Sequence, residues 1–199
     1  GRGIITDRNG KQLALNIEIG GRTVRHYPYG EVMASVIGYL GKEEGELPVG
    51  KMGLEKTYQD RLLEENINTN LDTELQKTAF VALKEKLKET GKSGAVVVSK
   101  VSGEVLALVS APSFDNNLFV DGGKRSDFGG DYKDVQSLIK DTEKKPLFNR
   151  AISGDFAPGS VFKILPALAA LESGKIVKGT MVMDTGEIKI GAYRFGNWY

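Results

Sequence analysis

Two short apolar runs near the N-terminus flank a polar stretch with a strong turn signal. The runs are Ile4-Ile5-Thr6 and Leu13-Ala14-Leu15, and Asp7-Arg8-Asn9-Gly10 lies between them. Asn-Gly readily adopts the positive φ angles of a tight turn between antiparallel strands. The pattern therefore predicts a β-hairpin over residues 4–15.

Helical spacing of apolar residues appears in two later segments. A short helix is predicted from Leu54 to Glu65, where four apolar positions share one face. A longer one begins at the stretch Thr73-Glu74-Leu75-Gln76, which has the form of a capping box, and ends before Gly91. Its apolar face consists of Leu75, Ala79, Leu83 and Leu87.

The segment after this helix has the pattern of a second hairpin. Strands are predicted over Ala95–Ser99 and Glu104–Ser110, joined through Ser102-Gly103. A glycine-rich polar loop follows, and it contains an amphipathic helix predicted over Tyr132–Lys140. The acids Asp115, Asp121, Asp127 and Asp131 are predicted to be solvated loop residues. The order of helix, antiparallel hairpin, loop and apolar helix predicts an α+β fold with helices on a mainly antiparallel sheet.

A Ser-x-x-Lys motif opens the last predicted helix. Ser160 and Lys163 are three positions apart, so they share a helix face, and Pro158-Gly159 place the serine in the first turn. The residues that follow are apolar all round, which predicts a buried helix. Burial lowers the pKa of a lysine, and a serine beside such a lysine is an activated nucleophile. Pro166 is predicted to bend the helix just after Lys163. The alternative is an N-cap serine with a lysine that extends to solvent.

Composition excludes several other kinds of chemistry. The 199 residues include 27 Lys and Arg against 26 Asp and Glu, a net charge of +1, which gives no basic surface typical of nucleic-acid binding. Cysteine is absent, so disulfides, thiolate metal sites and cysteine nucleophiles are excluded. The single histidine, His26, lies in an extended stretch far from Ser160 in sequence. A Ser-His-Asp triad is therefore not expected.

Several sequence blocks resemble the class B penicillin-binding proteins, and they occur in family order along the whole chain. The N-terminal block runs from Arg2 to Asn16, and the entry to the transpeptidase domain is similar to Leu71–Gln76. Asn117–Gly122 and Arg194–Trp198 resemble the elongation-specific branch of the family. The other matching blocks are Arg25–Gly30, Val36–Tyr39, Gly53–Tyr58, Ala107–Asp115 and Pro146–Ala151, the last of which leads into Ser160.

The resemblance implies acyl transfer through a serine. Lys163 is implied as the base and Ser160 as the nucleophile that attacks the carbonyl between two D-alanines of a peptidoglycan stem peptide. The backbone N–H of Ser160 is implied as one oxyanion donor. No cofactor is expected. Some members of the family hold zinc, but without cysteine, and with Asn197 where aspartate is usual, no metal is expected here.

The chain also departs from the family pattern. Members of the family have Ser-x-Asn and Lys-[Ser/Thr]-Gly motifs after Ser-x-x-Lys, and no Ser-x-Asn follows Lys163. The connections near Asn16-Ile17 and residues 66–70 are shorter than in the family, so segments are expected to be missing there. The chain by itself is therefore expected to be inactive.

The family's organisation implies two regions. Residues 1–70 correspond to an elongated, β-rich, non-catalytic pedestal of the dimerisation type, and residues 71–199 to the N-terminal part of the transpeptidase domain. The implied location is the bacterial inner membrane, with one membrane-spanning anchor that this chain lacks and the catalytic domain on the periplasmic side. The implied partners are stem peptides ending in D-Ala-D-Ala, β-lactam antibiotics, a membrane-embedded glycosyltransferase and other proteins of the elongation machinery.

Two alternatives remain open at this point. A β-lactamase or penicillin-sensor domain shares Ser-x-x-Lys, although it lacks the block that begins at Arg2. A non-catalytic scaffold that binds proteins of the elongation machinery would use residues 1–70 without the serine.

Overall fold

The computed structural model describes residues 1–41 and 47–197, and it confirms the mixed α+β class. The chain divides into two compact units, Gly1–Asp155 and Phe156–Tyr199. The predicted boundary between residues 70 and 71 falls inside the first unit, and it stays a prediction. In the part of the chain described, no helix combines the length and apolarity needed to cross a bilayer.

The first unit contains a four-stranded sheet and two smaller strand pairs. The strands are β1 (Ile5–Thr6), β2 (Gln12–Ile19), β3 (Arg22–His26), β4 (Leu40–Gly41), β5 (Val49–Gly50), β6 (Ile67–Asn68), β7 (Gly94–Ser99) and β8 (Val105–Ala111). The four-stranded sheet has the order β3-β2-β1-β6, in which β1 and β6 are parallel and the other pairs antiparallel. The hairpin predicted over residues 4–15 is confirmed as β1 and β2, and the one after residue 94 as β7 and β8.

Helices pack on these strands and close the larger of two apolar clusters. The helices are α1 (Gly30–Ile37), α2 (Gly53–Thr57), α3 (Arg61–Glu64), α4 (Thr73–Thr90), α5 (Val135–Lys140) and α6 (Arg150–Ser153), with a 3₁₀ turn at Asn116–Phe119. Side chains from β1, β2, α1, α4 and β8 meet in the larger cluster, so the segments on both sides of residue 70 share this core. Its largest fully buried members include Tyr27, Ile5, Leu13 and Met33.

The helix predicted over residues 54–65 is wrong as a single element. It is two short helices, α2 and α3, with a turn between them. The side chain of Gln59 lies in that turn and accepts a hydrogen bond from the amide of Gly50 at 2.8 Å. This contact holds the turn against β5, and it is a tertiary contact that helical spacing does not report.

The long helix is confirmed, but its N-cap is Asp72 and not Thr73. The Asp72 carboxylate accepts hydrogen bonds from the amides of Glu74 and Leu75, both at 3.1 Å. The amide group of Gln76, predicted to close the capping box, instead donates to the carbonyls of Val32 and Leu108. At the other end Gly91 is left-handed, with φ of 66°, and ends α4 as predicted.

A buried carboxylate links the first hairpin to the start of α4. Asp7 is 2% exposed and accepts hydrogen bonds from the backbone amides of Asn9 and Lys11 within its own turn. Its other oxygen accepts from the hydroxyl of Thr73 at 2.6 Å. Burial alone would raise the pKa of Asp7, but the bond from Thr73 and the backbone hydrogen bonds together lower it below its ordinary value of 3.8.

We expect Asp7→Asn to destabilise the protein by about 1–3 kcal/mol at neutral pH, because the amide cannot accept all of these bonds. Since the folded pKa is lowered, the contribution of the carboxylate is fully present above about 3.8 and is lost as the pH falls through the folded value. The difference between parent and variant should therefore shrink in acid. Thermal unfolding measured from pH 7 to pH 3 checks this, and a difference that is constant with pH would contradict it.

Asp60→Asn is the matched control, because Asp60 is exposed and its side chain caps no helix. It should change the melting temperature little at any of these pH values.

An ionic cluster is buried where the N-terminal segment, β3 and α2 meet. The carboxylate of Glu55 has no exposure and binds the guanidinium groups of Arg2 at 2.6 Å and Arg25 at 2.8 Å. The Tyr27 hydroxyl lies 3.3 Å from the same carboxylate. Loss of one partner from such a group is costly because the remaining charges stay buried. The cluster therefore joins segments more than 20 residues apart in sequence.

The structure corrects the expected role of one loop acid. The sequence predicts Asp115 as a solvated acid, but it is fully buried. It accepts hydrogen bonds from the guanidinium group of Arg125 at 2.9 Å and from the amides of Asn117 and Ser126. These bonds hold the start and the middle of the long polar loop together.

The second unit contains a helix and a hairpin. A 3₁₀ turn at Gly159–Lys163 leads into α7 (Ile164–Glu172). Strands β9 (Glu187–Ile190) and β10 (Tyr193–Gly196) pair antiparallel through a turn at Gly191, where φ is 59°. The hairpin has no counterpart among the predicted elements.

Candidate active site

The backbone before Ser160 depends on a glycine. Pro158 is followed by Gly159, which has φ of 57°, a conformation that residues with a Cβ adopt at a cost. The chain then enters the 3₁₀ turn Gly159–Lys163, which contains both residues of the motif. The Pro-Gly entry thus places Ser160 in the first turn of the helical segment, as the sequence predicts.

The 3₁₀ geometry places the two residues of the motif on one face. Such a helix has three residues per turn, so positions i and i+3 lie almost directly above one another. Ser160 and Lys163 are in this relation. Neither the Ser160 hydroxyl nor the Lys163 ammonium group has a hydrogen-bond partner among the described residues, so they are aligned without being bonded.

The prediction that this helix is buried is wrong for the described chain. Ser160 and Lys163 are exposed, and so are the apolar side chains around them, with Val161 at 73% and Ile164 at 60%. An apolar sequence indicates that a helix is stable when other residues pack against it, but it does not show that such residues are present. The desolvation expected to make Lys163 a base is therefore not provided by the residues described.

Pro166 lies in the first turn of the α-helix, which begins only at Ile164. Proline is tolerated in the first turn of a helix. The chain changes from 3₁₀ to α geometry directly after Lys163, the position at which the sequence predicts a bend. The bend itself stays a prediction.

The amide of Ser160 lies in the opening turn of the helical segment. Amides in such a turn have no acceptor inside the helix and can bind an oxygen that gains negative charge. Ser160 lies in this turn, and the role of its amide as an oxyanion donor stays a prediction.

Among the residues that the structure describes, no group of three or more His, Cys, Asp or Glu side chains could hold a metal ion. Asn197 donates a hydrogen bond to the Asp184 carboxylate across the base of the last hairpin. This bond gives Asn197 a structural role.

Together these features define a helix-borne Ser-x-x-Lys site with an amide donor at the same position. The arrangement can form an acyl-serine if the lysine is neutral. The sequence did not predict two buried features outside this site, the ionic cluster around Glu55 and the burial of Asp115. The run Asp115-Asn116-Asn117 is the one sequence signal for the burial of Asp115, because Asp and Asn favour turns in which the side chain bonds to the nearby backbone.

Two family models match the chain, and together they span nearly all of it. The model of the penicillin binding protein transpeptidase domain matches residues 93–199, and that of the penicillin-binding protein dimerisation domain matches residues 15–98. The chain belongs to the penicillin-binding protein transpeptidase family. The resemblance inferred from the sequence blocks is therefore confirmed.

Individual relatives agree with this membership. The chain is 31% identical to peptidoglycan D,D-transpeptidase MrdA of Acinetobacter baumannii over 92% of its own length and 31% of that protein. The structure of Pseudomonas aeruginosa PBP2 in complex with WCK 5153 matches with a TM-score of 0.76 and 34% identity, over 99% of this chain and 45% of that one. The penicillin G acyl-enzyme complex of M. tuberculosis penicillin-binding protein A matches with a TM-score of 0.76 and 26% identity, over 99% of this chain and 48% of that one.

The chain thus spans about a third of the length of the Acinetobacter baumannii relative and about half of each of these two solved chains. The similarity to PBP2 agrees with the elongation-specific branch indicated by the sequence.

Proposed function

We propose that this chain carries the nucleophile of a peptidoglycan D,D-transpeptidase that cross-links stem peptides through an acyl-serine. The observation that carries the proposal is the position of Ser160 and Lys163 on one face of the 3₁₀ turn, inside the segment that matches the transpeptidase domain. A relative of the same fold forms a penicillin G acyl-enzyme, which supports serine chemistry in this family.

The proposed reaction has two steps. The Lys163 amine accepts the proton of Ser160, and the serine oxygen forms an ester with the carbonyl of the penultimate D-alanine. The peptide C–N bond breaks, and the terminal D-alanine leaves as an amine with the transferred proton. The amine of a second stem peptide then attacks the ester, which gives the cross-link and returns the proton to the serine oxygen. The amide of Ser160 stabilises the oxyanion in both steps.

The lysine must be neutral when it accepts the proton. A neutral amine at physiological pH requires an apolar or cationic surrounding, and the described residues leave Lys163 exposed. This supports the expectation that the chain is inactive by itself. A serine ester also accounts for the proposed inhibition by β-lactams, whose carbonyl would be attacked in the same way.

The proposed setting follows from the substrate. Peptidoglycan lies outside the cytoplasmic membrane, so we place the catalytic unit on the periplasmic side and the protein in the inner membrane. The proposed protein partners are a membrane-embedded glycosyltransferase and other proteins of the elongation machinery, with residues 1–70 as the pedestal. The match of the dimerisation domain to residues 15–98 supports this over a β-lactamase or penicillin sensor.

Mapping of the labelled residue tests the proposal. The full-length gene product is incubated with a fluorescent penicillin and digested, and the labelled peptide is identified by mass spectrometry. We expect the label on Ser160, in the peptide that contains Phe156–Lys163. Label on any other residue, or no label under conditions that label a known penicillin-binding protein, would refute the assignment.

A further inference from the structure

A cleft of about 230 Å³ lies between the C-terminal half of α4, the segment after β8 and the chain on either side of α5. It is in the first unit and has no residue in common with the Ser-x-x-Lys site. We call it the lysine cleft, after the four residues Lys84, Lys88, Lys92 and Lys144 that line it.

The charges in the lysine cleft do not balance. Two acids line it with the four lysines, Glu31 from α1 and Asp131 from the loop. Glu31 is engaged by Lys84 at 2.5 Å, and that pair is partly buried. In the described part of the chain, the side chains of the other three lysines have no hydrogen bond or ion pair. These three lysines outnumber the two acids that remain, Asp131 in the lining and Asp141, which interacts electrostatically with Lys144. The cleft therefore keeps a net positive charge.

The floor of the lysine cleft is apolar. Phe80 is 4% exposed, and Pro112 and Leu87 are half-buried beside it. The Lys84 ammonium lies 5.6 Å from the centre of the Phe80 ring. The other three lysines of the cleft are exposed, so a ligand can reach their ammonium groups from solvent.

We propose that the lysine cleft binds a small multivalent anion that carries carboxylate or phosphate groups. Lysine ammonium groups are mobile point charges, so they accept both kinds of oxyanion without the planar match that arginine requires. The cleft volume admits one compact ligand and not a folded partner. The inference does not depend on the reaction at Ser160.

A purely structural role for these lysines gives a different expectation. Lys88 lies in the last turn of α4 and Lys92 follows its C-cap, where cations stabilise the helix dipole. If that were their whole role, their replacement would lower the melting temperature and leave anion binding unaffected.

Calorimetric titration of the full-length gene product tests the proposal. Inorganic pyrophosphate and citrate are titrated separately at low ionic strength, as probes of phosphate and carboxylate groups. The double variant Lys92→Ala/Lys144→Ala removes two of the unpaired charges. The control Lys56→Ala/Lys140→Ala removes two exposed lysines that do not line the cleft, so the net charge falls equally.

We expect at least one probe to bind the parent protein. Its dissociation constant should rise about tenfold or more in the cleft variant and change less than about twofold in the control variant. Added salt should weaken binding to the parent. Preference for pyrophosphate would identify a phosphate ligand, and preference for citrate a carboxylate ligand. Absence of binding to the parent, or equal weakening in both double variants, would overturn the proposal. Thermal unfolding of each variant confirms that it is folded.

Discussion

Ser160→Ala should abolish covalent labelling of the full-length protein by penicillin. The alanine has no oxygen that can form the ester, so no acyl-enzyme can accumulate however well the antibiotic binds. Because Ser160 is exposed and its hydroxyl makes no hydrogen bond to a described residue, the substitution should leave the free energy of unfolding within about 0.5 kcal/mol of the parent. Gel fluorescence after labelling, together with thermal unfolding, measures both effects.

Lys163→Ala should slow acylation by about 10²–10⁴-fold, the usual contribution of a general base. Lys163→Arg should not restore the rate, because a guanidinium stays protonated and cannot accept the serine proton. Stopped-flow or timed labelling gives the rate constants. An arginine variant that acylates at the parent rate would show that Lys163 acts through its charge and not as a base.

Ser173→Ala is the matched control for both substitutions. Ser173 is also exposed and lies in the same unit, and its hydroxyl donates only to the carbonyl of Ala170. Labelling at an unchanged rate is expected. Loss of labelling in this control would mean that the assay reports damage to the second unit rather than chemistry at Ser160.

Gly38→Ala should prevent the first unit from folding or destabilise it by more than about 4 kcal/mol. Gly38 follows α1 with φ of 80°, and a Cβ there would lie 1.8 Å from the carbonyl oxygen of Met52. Gly53, at the start of α2, packs against it from the other side, where a Cβ would lie 2.6 Å from the amide nitrogen of Gly38. Backbone meets backbone at this point, so no side chain can move to relieve the contact.

The Gly38 substitution has two costs, the positive φ that alanine disfavours and the clash of its Cβ with the backbone of Met52. Gly20→Ala measures the first cost alone. Gly20 also has positive φ, 57°, but a Cβ there has no atom within 4 Å. It should therefore lose only the conformational preference, about 1 kcal/mol. Soluble yield and melting temperature of the two variants give the comparison. Equal losses would show that α1 and α2 separate at little cost.

Local patterns were sufficient wherever the cause of the structure lies within a few residues. Asn9-Gly10 predicts the first hairpin because the turn itself needs positive φ, and Gly10 has φ of 81°. Gly91 likewise ends α4 through its own left-handed conformation. The same holds for Ser160 and Lys163, whose common face follows from their spacing and from the Pro158-Gly159 entry.

Side-chain partners that are distant in sequence could not be predicted in this way. Thr73 has the sequence of an N-cap, but its hydroxyl donates to Asp7, 66 positions away. Gln76 matches a capping box, yet its amide joins Val32 to Leu108. Asp115 has the sequence context of a solvated loop acid and is buried, because Arg125 and the chain around it fold over the carboxylate.

The sequence by itself determined the α+β class, the order of the main elements, the membership in the penicillin-binding protein transpeptidase family and the position of Ser-x-x-Lys at a helix start. These depend on spacing and residue type, which the chain carries locally. Only the tertiary structure decided which groups are buried. It showed Glu55 between two arginines, three unpaired lysines in one cleft, and α7 exposed despite its apolar sequence. Burial depends on which residues pack against a side chain. A sequence pattern indicates only how much free energy that side chain would gain if it were buried.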